Sequence, residues 1–317
     1  MSLKNSCRTI RWTAGITTIS ICMERPLSTW LHLTHPASRS LSDTFQQLHH
    51  AVQYVAMTDQ YLAGDSNVVI SWVPERFAFL GRIIPAPEPF IISLQAKQMN
   101  LELLDADLKT VNRLHLPGVT QGYAFAWLKE QVAGRGIETG LLKKKLNYTI
   151  PEHAVDRCAP YRIPDPEAFR EAAKYLNDAD LLIRHFAAHF DKHAEPGFSS
   201  ERFTLSYKAV FEKDNAGNIA RSIDFGWAAP GVFSDLPCFF VQPWSSVDQL
   251  HDGLPPLPGG KWTTLQWPVA LFTADDLIRI PDATAQGAAA MKFMTGAIQR
   301  SMEAIRIQPV KFNNSSF

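Results

Sequence analysis

Residues 90–116, FIISLQAKQMNLELLDADLKTVNRLHL, decide how the first half of the chain is read. Ile91-Ile92-Leu94, Met99-Leu101-Leu103 and residues 111–116 are short apolar runs of near-period two, separated by Lys97-Gln98 and Asp105-Ala106-Asp107. A period of two puts alternate side chains on opposite faces, and the polar breaks are turn signals, so the stretch reads as an antiparallel meander. Toward the N-terminus, Val69-Ile70 and Phe77-Phe79 extend the pattern, with Pro74 and Pro85-Ala86-Pro87 as breaks. Helices flank it. Ser42 or Asp43 can cap a helix with an apolar face of Phe45, Leu48, Val52, Val55 and Leu62, stopped at Gly64. Past the strands, Thr120 caps a helix through Trp127 and Leu128 that Gly134 and Gly136 end.

Residues 134–165, with Lys143-Lys144-Lys145, Pro151, Pro160 and Pro164, read as an irregular connection. A long helix follows from Asp165-Pro166, where proline suits the first turn, and is expected to last until Glu195-Pro196-Gly197. Residues 202–211 and 219–227 are strand-like and flank Asp214-Asn215-Ala216-Gly217-Asn218, a hairpin loop whose Asn and Gly tolerate positive φ. Further strands are expected at 238–241 and 262–272, and a last helix near Asp282 places Ala288, Met291, Ile298, Met302 and Ile305 on one face. The expected fold is α+β, two helix-and-antiparallel-sheet halves with an aromatic-rich C-terminal half. The division is a leader over 1–40, a first half over 41–133, a connection over 134–165, a second half over 166–306 and a tail over 307–317.

Across 317 residues, 31 Lys+Arg balance 31 Asp+Glu, and 46% of residues are hydrophobic. That apolar fraction excludes wholesale disorder, and cancelled charge supplies no field for nucleic acid or an anionic membrane, so neither partner is expected. No stretch free of formal charge reaches the roughly 18 residues of a membrane-spanning helix. Cys7, Cys22, Cys158 and Cys238 are too scattered for a zinc ribbon or a disulfide framework, which points to a cytoplasmic protein. Residues 1–22 carry Lys4, Arg8 and Arg11 but no acid; Glu24 follows Met23. Thr17, Thr18 and Ser20 dilute the apolar run a secretory signal needs, leaving a transit peptide, a start at Met23, or a disordered leader outside the fold.

Residues 198–272 hold 13 of the chain's 34 aromatic residues in under a quarter of its length. The main functional expectation is a cleft lined by Trp227, Trp244, Trp262 and Trp267 that binds a small apolar or aromatic-compatible molecule. The alternative is a metal-dependent hydrolase. His185, His189 and His193, with Asp191 among them, recur at the spacing of four that brings imidazoles together on a helix, and under this reading alone a divalent metal would be the cofactor. His185-Phe186-Ala187-Ala188-His189 lacks the glutamate of H-E-x-x-H, so an ordinary helix face competes with it. A third expectation is a non-catalytic interaction protein. His49 and Asp59 fall on the apolar face of the first helix, a buried polar pair. Residues 134–140 match no phosphate-binding loop, no G-x-S-x-G occurs, and Ser199-Ser200 and Ser245-Ser246 read as turn caps.

Residues 222–231, Pro237-Cys238-Phe239-Phe240-Val241-Gln242-Pro243-Trp244, residues 254–260 and Trp262-Thr263-Thr264-Leu265-Gln266-Trp267 together resemble the pattern of a family of uncharacterised bacterial proteins. The resemblance covers about residues 200–275 and rests on the Pro-Trp and Trp-x-x-x-x-Trp spacing. In those proteins a Trp-Pro-His-His-Phe-Asp stretch precedes the pattern. Here Arg202-Phe203-Thr204-Leu205-Ser206-Tyr207-Lys208-Ala209 stands in its place, with neither histidine nor aspartate, and the resemblance implies no activity.

Overall fold

The computed structural model describes residues 8–10, 19–21, 29–36, 38–63, 68–143, 146–248, 254–264, 267–310 and 312. Gly64, Cys7, Cys22 and most of the basic leader lie outside them. A small antiparallel pair, β1 (Arg8–Ile10) and β2 (Ile19–Ile21), precedes α1 (Arg39–Leu62). The meander then appears as β3 (Ser71–Val73), β4 (Ala78–Leu80), β5 (Phe90–Gln95), β6 (Asn100–Asp105) and β7 (Thr110–His115), neighbours in chain order in one five-stranded sheet. After α2 (Gln121–Ala133), a 3-10 turn at Ala154–Arg157 and α3 (Pro166–Ala187) come β8 (Gly197–Ser199), β9 (Thr204–Lys213), β10 (Ile219–Ala228) and β11 (Cys238–Ser245). The chain closes with β12 (Lys261–Thr264), β13 (Pro268–Thr273), the short α4 (Ala274–Ile278) and α5 (Ala283–Ala304). The second sheet runs β12-β13-β11-β10-β9-β8, every pairing antiparallel. The fold is α+β in two helix-and-sheet halves.

Among the described residues one backbone pair joins the sheets: Ile70 faces Phe198 across the seam, and Phe198 N donates to Ile70 O at 3.4 Å. α1 packs on β4, β5 and α3; α3 spans the seam, touching β3, β9 and β10; α5 covers β10, β11 and β13. Ile223, Phe225 and Trp227 of β10 are buried beneath the helices, so the pleat turns Ser222, Asp224 and Gly226 to the opposite face. Much of the aromatic enrichment fills this seam. Phe79 lies 4.6 Å from Phe198 and 5.7 Å from Phe203, and Phe45 lies 5.2 Å from Trp227, ring centre to ring centre. These offset and edge-on contacts belong to one main core reaching from α1 to α5.

The caps at Thr120, Asp165 and Asp282 stand where the sequence places them, each accepting a backbone N–H with its side chain. Three boundaries differ. α1 opens at Arg39 rather than past Ser42, because Ser38 Oγ accepts from Leu41 N and the extra turn buries Leu41. The expected strand over 262–272 is a hairpin of β12 and β13. α3 ends at Ala187, not near Glu195: His189 N and Phe190 N bond to carbonyls three residues back, tightening the last turn, and Asp191 Oδ1 then accepts from His193 N.

The leader expected to reach residue 40 stops short of that. Trp30 and Leu33 are buried, and residues 31–35 are held by side chains from two helices. Asp178 Oδ1 accepts from Leu31 N at 2.8 Å, Glu171 Oε1 accepts from Thr34 N and His35 N, and Gln286 exchanges both bonds with the Leu33 backbone at 2.9 and 2.7 Å. These buried carboxyl and amide groups act as an artificial strand edge for an irregular segment that would otherwise leave buried amides unpaired.

Candidate functional site

The site grows from the β8–β9 turn. Phe203 there has φ 51°, a left-handed conformation costly for an aromatic residue, and burial of its ring among Phe45, His49, Phe79, Phe198 and Trp227 holds it. That anchor fixes Ser200. Its carbonyl accepts from His49 Nε2 at 2.9 Å and from Gln53 Nε2 at 2.9 Å, both on α1. Because a carbonyl only accepts, His49 carries its proton on Nε2. Burial lowers the His49 pKa to about 4. Tyr148, from the irregular connection, donates to Gln53 Oε1 at 2.8 Å and stands 2.7 Å from Ser200 Oγ. With the tyrosine proton committed to Gln53, the serine hydroxyl donates to the Tyr148 oxygen.

This network backs a cavity of about 590 Å³ at the sheet seam. Tyr148, Ser200, Glu201, Tyr207, Lys208 and Asp224 line it, together with Val68, Asn147, Glu195, Ser206 and residues 197–199. Asp224 and Lys208 are register partners on β10 and β9; Lys208 Nζ is 4.0 Å from Asp224 Oδ2, an ion pair too long for a hydrogen bond. Asp224 Oδ1 is buried with no hydrogen-bond partner. Burial pushes the Asp224 carboxyl up, against the pull of Lys208, Ser206 and Arg202.

Among the described residues, Ser200 and Cys238 are not activated as nucleophiles. The Ser200 proton points at a phenol whose pKa burial pushes up to about 12, not at a base, and the buried Cys238 thiol is likewise pushed up to about 12. A second cavity of about 600 Å³, beside the start of α1, has a lining paired within itself: Asp43 with His153 at 3.0 Å, Glu152 with Arg157 at 2.8 Å. His50 adjoins that wall, donating from Nε2 to Pro151 O and standing 3.2 Å from Asp156 through Nδ1.

The four tryptophans singled out by sequence stand apart, and neither cavity has one in its lining. Trp227 is fully buried against Phe45 and Tyr175; Trp244 sits opposite Ser222 on the other face of the sheet. Trp262 Nε1 donates to Pro255 O at 2.9 Å, and Trp267 packs half-buried on the core. The histidine face is broken by the early end of α3. His185 and His189 remain 5.3 Å apart, with Phe312 5.1 Å from His189, while Asp191 and His193 lie in the following turn. Burial lowers the His185 pKa. Among the described residues no group of three or more His, Cys, Asp or Glu side chains is placed to hold a metal ion, and no helix is long and apolar enough to cross a membrane.

Sequence reasoning places His49 on the inner face of α1 and Ser199-Ser200 in a turn, but does not join them. Asp224 and Lys208 could have been found from strand alternation, which sets both opposite the buried Phe225 and Trp227. Tyr148 carries no such signal, because its neighbours form no periodic element. The chain matches no protein-family model, no curated protein and no solved structure.

Proposed function

We propose that the protein binds a small organic molecule in the seam cavity and does no covalent chemistry on it. The observation carrying this reading is the fixed wall: Ser200 and Tyr148 are locked to His49 and Gln53 of α1 before any ligand arrives. A preformed wall lowers the ordering cost of binding. The cavity volume falls in the range of ligand pockets, about 300–1,000 Å³. Its aromatic surface comes from Tyr148, so the ligand is aromatic-compatible but needs polar groups to meet the hydroxyls and carboxylates.

A thermal-shift survey of polar metabolites against the wild-type protein and Ser206→Trp, which fills the cavity, tests the proposal. Compounds that raise Tm in the wild type are expected to lose that effect in the variant. Equal stabilisation of both proteins, or of neither by any compound, defeats it.

A further inference from the structure

We propose that the seam cavity takes a small organic cation, an arylalkyl- or alkylammonium, with its charged head against Asp224; this rests on the binding function above. Three carboxylates, Glu195, Glu201 and Asp224, line the cavity against one ammonium, Lys208. Glu195 is already paired, receiving a hydrogen bond from Arg184 at 2.8 Å. Asp224 is not neutralised in the same way. Lys208 stays 4.0 Å from Asp224 Oδ2 with half of its side chain exposed, and Oδ2 is the oxygen a cation in the cavity would meet, since Oδ1 is shut off from solvent. Arg202 acts from farther off and is held over the Phe233 ring at 5.2 Å.

A concave site with excess negative charge concentrates cations and repels anions. Tyr148 adds ring surface of the kind that attracts ammonium groups. The hydroxyls of Ser200 and Ser206 can accept the remaining ammonium protons. A phosphate or carboxylate ligand would have to displace that pattern of charge with only Lys208 in its favour.

Three probes share one ring and differ in the head: 2-phenylethylamine, 2-phenylethanol and 3-phenylpropionate. Ligand-observed NMR titration is expected to give the amine a Kd about tenfold below the other two, the scale of one charge-assisted hydrogen bond. Asp224→Asn should erase the preference, with the fold checked by circular dichroism. Lys208→Met, which removes the competing charge, should tighten the amine and leave the alcohol unchanged; this arm stands if Asp224→Asn does not fold. Should the alcohol or the propionate bind as tightly as the amine, and Ser206→Trp abolish that binding, the cation assignment falls while the cavity function stands. If none of the three binds, the cation assignment falls and the metabolite survey decides the cavity function independently.

Discussion

His49 couples the binding wall to pH. An unfolded histidine titrates near 6.5, whereas the buried, neutral ring of His49 titrates at about 4. Protons therefore bind the unfolded chain first as pH falls. The contribution is fully present above pH 6.5 and is lost progressively down to about pH 4, by up to about 3 kcal/mol. Burial lowers the His50 pKa in the same sense, opposed by Asp156. His49→Gln can keep a donor to Ser200 O while removing the titration, so its urea midpoint should change less between pH 6.5 and 4 than that of the wild type. Parallel profiles would show that His49 is not the sensor. The inward position of His49 was legible from its spacing with Phe45 and Val52. Its partner was not, because Ser200 lies 151 positions away and no local pattern encodes that approach.

At the scale of elements, β9 and β10 pass so closely that a Cβ on Gly226 would strike Leu205 O and lie 2.6 Å from Ser206 Cβ. Gly226→Ala must push the strands apart beside Asp224. Chemical denaturation is expected to show a loss of about 2 kcal/mol, within the overpacking range, together with weaker ligand binding. A stability unchanged from the wild type would mean that the strands shift freely there. Elements with a local chemical signature were legible: Thr120, Asp165 and Asp282 announce helices, and Gly217 at φ 84° closes the hairpin where Asp214 Oδ1 accepts from Ala216 N and Asn218 N. The end of α3 was misplaced because Ala188, His189 and Phe190 are all compatible with helix, and only the tightened final turn stops it.

For the molecule as a whole, the aromatic richness of residues 198–272 was correctly seen, but composition cannot say whether rings line a cleft or fill a core. Here many of them close the seam between two sheets, and the cleft is lined by Tyr148, hydroxyls and carboxylates. The largest departure is the buried segment near the N-terminus, which has no periodicity to read. Gln286→Ala would leave Leu33 N and Leu33 O without their side-chain partner. The expected cost is about 2–4 kcal/mol in urea unfolding, with new protease cleavage near Leu33. An unchanged digest would show that the segment is held without Gln286.

The same clasp bears on synthesis. Leu33 waits for a partner 253 positions later, so during translation its backbone is left to water until α5 has cleared the ribosome. Such distant closure slows folding. Nascent chains stalled before residue 286 should remain open to proteases near Leu33.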